Sequence, residues 1–124
     1  LGTNDAKACF AGNARTIAWS NLKIIEAIQK WSLWSGNSPE ILLISPILIA
    51  DGAEDSRFGT YDESSVDRSR AFAAEYRHVA ELKGVHFFDA ATVATPGPDC
   101  LHMDRDSHKA LAEALAAEVR KILG

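Results

Sequence analysis

The chain has 124 residues, 47% of them hydrophobic and 24% charged, which fits one ordinary globular domain and excludes a disordered tail, a collagen-like repeat and a coiled-coil rod. Its net charge of −4, with no basic cluster beyond Arg120-Lys121, argues against a phosphate-tracking surface, so no nucleic-acid partner is expected. The longest apolar run, 41–50, is interrupted by Ser45 and Pro46 and is too short to cross a bilayer, so no membrane partner is expected either.

Residues 1–5 read as the last step of a strand running into a loop, because Gly2, Asn4 and Asp5 are turn formers. Over 13–34, Ala14, Ile17, Ala18, Leu22, Ile25 and Ile28 recur at helical spacing, with Asn13 as the expected N-cap and Gly36 and Pro39 as stop signals. The apolar stretch 40–49 predicts a strand buried on both faces, as in a parallel sheet, ending near Ser45 because Pro46 cannot donate to a ladder. Residues 50–62 read as a surface loop. Ser64 to Asp67 match a capping box with Asp in place of Glu, predicting a helix over 64–83 that Gly84 ends. A short strand over 85–89, a loop over 90–103 holding Pro96, Gly97 and Pro98, and a helix over 104–123 capped by Asp104 complete the chain.

The order strand end, helix, strand, helix, strand, helix predicts one α/β unit over 1–124 with right-handed crossovers. Two complete strands flanked by three helices leave an open sheet edge and half a core. A further segment is therefore expected to supply the missing strands.

In an open parallel sheet, ligands bind beyond the carboxyl ends of the strands. The loops 2–12, 46–62 and 89–103 follow those ends, which brings Asn4, Asp5, Asp99 and His102 toward one place. An Asp three residues before a His can engage the near ring nitrogen, fix its tautomer and stabilise the imidazolium. The amide of Asn4 can donate to a developing oxyanion, or Asn4 can simply shape an Asx turn. A looser arrangement of His102, Asp104 and His108 beside Asp99 has zinc-ligand chemistry, but its spacing is weak and no metal site is assigned.

Gly2-Thr3-Asn4-Asp5 followed by Asp99-Cys100-Leu101-His102 resembles the SGNH, or GDSL-type, hydrolases, whose third block reads G-x-N-D and whose fifth reads D-x-x-H. The stretch from Leu1 to Phe10, Ile44-Ser45-Pro46, the stretch from His86 to Ala90 and the Ala-rich last helix are similar to the arylesterase and acyltransferase branch. The resemblance implies a three-layer α/β/α flavodoxin-like sandwich with about five parallel strands, here its C-terminal portion. It implies His102 as general base, Asp99 as its orienting partner and Asn4 as an oxyanion donor, with no metal or cofactor. The implied reaction is attack of a serine on a short-chain acyl or aryl ester, a small-molecule substrate, with transfer to water or an alcohol. In the loop 50–62, Phe58 and Tyr61 are candidates for lining the substrate site.

The family's G-D-S nucleophile block is absent. Ser20, Ser32, Ser69 and Ser107 fall in or beside predicted helices, and Ser45 adjoins Pro46. The nucleophile is therefore expected on a preceding segment, roughly 80–100 residues of a domain of about 200, which is a partner this chain needs. The alternative is a non-catalytic fragment, or an acyl- or carboxylate-binding subunit of the same fold. Trp19, Trp31 and Trp34 at helical spacing predict packing or subunit contacts and hence a homo-oligomer. Cys9 and Cys100 cannot form a disulfide framework, though a single bridge between them is conceivable. A reducing, cytoplasmic setting is the default.

Overall fold

The computed structural model describes residues 1–10, 12–57 and 59–124. Phe58 lies outside the described residues.

The first helical region forms as two pieces, α1 (Ala14–Trp19) and α2 (Asn21–Ser35). Asn13 starts α1 through a reciprocal capping box: its side chain accepts from the Thr16 N–H, and the Thr16 hydroxyl accepts from the Asn13 N–H. At the joint, the Ser20 hydroxyl donates to the Ile17 carbonyl and the Asn21 amide to the Ala18 carbonyl. Local side-chain bonds of this kind compete with the helical ladder and bend it. Gly36, at φ 71°, ends α2 in the left-handed conformation.

Strand β1 (Leu42–Ser45) pairs in parallel with β2 (His86–Asp89), in the register Leu42 to His86 through Ser45 to Asp89. The strand stops at Ser45 because Pro46 has no N–H to contribute. Between the strands lie α3 (Glu63–Arg70) and α4 (Phe72–Lys83), separated at Ala71. The cap of α3 is Asp62, whose carboxylate takes the Ser65 N–H at 3.1 Å. The capping box expected at Ser64 and Asp67 therefore forms two residues earlier, between Asp62 and Ser65, where the side chain with full acceptor capacity reaches the N3 donor. Helix α5 (Arg105–Leu123) starts at Asp104, which accepts from the Ser107 N–H at 2.8 Å.

The two faces of β1 pack into different clusters. Leu43 joins Ile17, Ile25, Phe72, Tyr76 and Val79 in the large core, so α1, α2 and α4 cover that face. Ile44 packs with Ile47, Ala90, Ala94 and Leu111, the last from α5. The chain is thus α/β with a small parallel sheet. Residues 1–5 do not form the expected strand end. Among the described residues Leu1 has no ladder partner, and Asn4–Ala6 is a 3-10 turn closed by the Ala6 N–H on the Gly2 carbonyl.

Trp19 packs against the large core, with the Arg15 guanidinium 4.7 Å from its ring centroid and His78 stacked on it. Trp31 and Trp34 are exposed. Cys9 and Cys100 are free. No helix among the described residues is long and apolar enough to cross a membrane.

Candidate active site

The segment 1–8 is held in place by side chains from distant parts of the chain. The buried Tyr76 phenol donates to the Leu1 carbonyl at 2.8 Å. The Arg68 guanidinium, from α3, donates through one nitrogen to the Ala6 and Lys7 carbonyls at 2.9 and 3.1 Å. The Ala8 N–H reaches the Thr60 carbonyl at 2.8 Å. Gly2 sits at φ 124°, and a Cβ there would run into the Tyr76 phenol oxygen and lie 3.0 Å from Pro46 Cγ. Only glycine lets the chain pass between α4 and the end of β1 at this point.

The loop that carries Asp99 and His102 is pinned with equal care. The Gly97 N–H donates to the His102 carbonyl at 2.7 Å, and the Ala50 N–H to the Cys100 carbonyl at 3.0 Å. Leu101, buried in the large core, plugs the loop into the domain. Cys100 takes φ 63°, the one positive value at a non-glycine among the described residues. This left-handed step lets residues 99 and 102 face each other across a single turn.

The result is a compact three-point cradle around one carboxylate. Asp99 Oδ1 accepts the N–H groups of Leu101 and His102 at 3.0 and 2.8 Å, while Oδ2 lies 2.7 Å from His102 Nδ1. The His102 backbone N–H, then its side chain, then the Leu101 N–H hold the Asp99 carboxyl down at a pKa of about 2. A carboxylate so held is ionised and only accepts, so His102 Nδ1 carries the proton. Nε2 is then the ring atom able to take a proton from a nucleophile, and Asp99 stabilises the imidazolium that results.

His102 lines an open cleft of about 660 Å³, and Asn4, Asp5, Ser45, Tyr61 and His108 line it as well. Asn4 is exposed to it from the 3-10 turn, and its Oδ1 accepts from the Tyr61 phenol at 3.3 Å. Tyr61 is buried at the cleft wall, with its hydroxyl on Asn4. Burial, and after it the neighbouring Cys9 thiol, pushes the Tyr61 phenol pKa up. Asn4, Asp5, Tyr61 and His102, all from loops expected at the strand ends, thus share one concavity.

Ser45 is the serine that lines this cleft among the described residues. It is fully buried, and its hydroxyl donates to Asp89 Oδ1 at 3.0 Å. Asp89 also accepts the Ala91 N–H at 3.0 Å, so Ser45 belongs to the turn after β2 rather than to the chemistry. Among the described residues, no group of three or more His, Cys, Asp or Glu side chains is arranged to hold a metal ion. Three positioning residues carry no signal of that role in the sequence: Arg68 and Tyr76 fall within the helix predicted over 64–83, and Leu101 within the loop 90–103.

No family model and no curated relative matches the chain. Solved structures do. One is 40% identical with a TM-score of 0.92, covering 100% of this chain and 57% of its own. A carbohydrate acetylesterase family member from Sinorhizobium meliloti is 29% identical with a TM-score of 0.88, covering 100% of this chain and 59% of its own. The aryl esterase of M. smegmatis is 29% identical with a TM-score of 0.85, covering 98% of this chain and 58% of its own. The resemblance to SGNH hydrolases carried by the two motifs therefore holds over essentially the whole chain, which spans less than two thirds of the structures it matches.

Proposed function

We propose that this chain, similar along its length to SGNH-type esterases, is the part of a serine esterase that supplies the base, its orienting acid and one oxyanion donor. The observation that carries this reading is that His102, whose Nδ1 is paired with a strongly acidic Asp99 behind it, lines the same cleft as Asn4. In this reading His102 Nε2 takes the proton of a serine hydroxyl as its oxygen attacks the ester carbonyl. Asn4 Nδ2 donates to the oxygen that becomes negative. The protonated His102 then returns its proton to the leaving alcohol, and a water or a second alcohol repeats the sequence to release the acyl group. Short-chain acyl and aryl esters are the substrate class, because the cleft is open among the described residues.

The serine belongs to a preceding segment bearing Gly-Asp-Ser. The same segment would add strands beside β1 and β2, completing a three-layer sandwich and enclosing the cleft. The exposed Trp31, Leu33 and Trp34 at the end of α2 support an association between copies.

Intact mass of the denatured protein, reading every polypeptide present, tests the premise, and a phosphonate ester tests the chemistry. The expected result is a phosphonate adduct on a serine of a Gly-Asp-Ser segment. A single 13.4 kDa species that takes up no phosphonate would leave only the non-catalytic reading. Replacing Asn4 by Ala should slow turnover about 100-fold, the loss seen when one oxyanion donor is removed.

A further inference from the structure

We propose that Tyr61 is a positioning residue for Asn4, holding the carboxamide with its N–H2 end turned into the cleft. This rests on the esterase reading above. A carboxamide has one accepting end and one donating end, and a half-turn about its last torsion exchanges them. Only the donating end is of use to an oxyanion. Asn4 sits on an exposed 3-10 turn, and nothing in the turn itself selects between the two orientations: the Lys7 N–H takes its backbone carbonyl, not its side chain.

Selection comes from across the fold. The Tyr61 phenol, 57 positions away in sequence, donates to Asn4 Oδ1. A phenol that donates chooses the oxygen, and the amide nitrogen is then directed away from the wall and toward the cleft. Tyr61 is itself immobilised, being 6% exposed and packed in the large core, with Lys7 Nζ 5.7 Å from its ring centroid. Its raised pKa keeps the phenol protonated, and so a donor, through neutral pH. The 3.3 Å separation is long for an O–H···O bond, as is common for catalytic hydrogen bonds that tighten only when charge develops.

A Tyr61 side chain that merely lined the substrate site would act differently, since removing its hydroxyl would alter KM and would do so with or without Asn4. The experiment is a double-mutant cycle in the full-length protein, with p-nitrophenyl acetate as substrate. The variants are Tyr61→Phe, Asn4→Ala and the pair, each checked for an unchanged thermal melt. Tyr61→Phe should lower kcat about tenfold with KM within about twofold. In the Asn4→Ala background the same change should move kcat by less than about twofold. A kcat loss of equal size in both backgrounds would overturn the proposal, as would an unaltered kcat in Tyr61→Phe beside a slowed Asn4→Ala. An Asn4→Ala enzyme as fast as the parent would instead remove the oxyanion reading, and the proposal with it.

Discussion

Arg68 anchors the Asn4 turn from α3. Its Nη1 makes two charge-assisted bonds, to the Ala6 carbonyl at 2.9 Å and the Lys7 carbonyl at 3.1 Å. A hydrogen bond to a charged group contributes about 1.5–3 kcal/mol, but here one nitrogen serves two acceptors and the site is half-buried. Water can re-solvate part of what is lost. Arg68→Ala should therefore destabilise the protein by about 2 kcal/mol, less than two full bonds would suggest. Arg68→Lys should recover about half, because the ammonium keeps the charge and a donor but is a more strongly hydrated point charge on a flexible stem, less firmly held against the two carbonyls than the planar guanidinium. For a chain of this size, 2 kcal/mol corresponds to a fall in Tm of about 8 °C. Urea unfolding followed by tryptophan fluorescence measures the loss, and kcat on a short aryl ester should fall with it as the turn loosens. An Arg68→Ala protein within about 0.5 kcal/mol of the parent would refute the reasoning that α3 anchors the turn.

Three further outcomes follow from the geometry. Gly2→Ala places a Cβ against the Tyr76 phenol at φ 124° and should cost about 2 kcal/mol or more in urea unfolding; a neutral variant would mean that the 1–5 segment is not seated between α4 and β1. Ser45→Ala removes a buried donor to Asp89 and should lower stability by about 1 kcal/mol while leaving turnover within about twofold, and a loss of activity by orders of magnitude would make Ser45 the nucleophile. Asp99 is held at about pKa 2, below the ordinary carboxylate value near 4. Its contribution is in full force above about pH 4 and is lost as pH falls through 2, so the Tm difference between the parent and Asp99→Asn should shrink over that window.

What the sequence makes legible here is what is local. Asn13, Gly36, Gly84 and Asp104 act on donors and carbonyls within four residues, and each bounds a helix where its chemistry predicts. The Asp99 and His102 pair is an i,i+3 contact closed within one turn, so its geometry follows from its spacing. The cap of α3 lies two residues before the expected one because 62–65 reads Asp-Glu-Ser-Ser, offering several capping side chains; the choice depends on which oxygen reaches the Ser65 N–H. The strand end expected within residues 1–5 needs a neighbour to bond with, a property of the assembled sheet rather than of the segment. Tyr61, Arg68 and Tyr76 act across 57, 62 and 75 positions. Periodicity assigns such residues to a face but says nothing about which backbone carbonyl or carboxamide they meet there.

The central claim is that His102, oriented by Asp99, is the base of an esterase site. Its most direct test is kcat of the full-length protein on p-nitrophenyl acetate, with His102→Ala compared against the parent and with folding checked by its thermal melt. The account predicts a loss of three orders of magnitude or more with the fold intact. A folded His102→Ala protein that turns over the ester at the parent rate would contradict it.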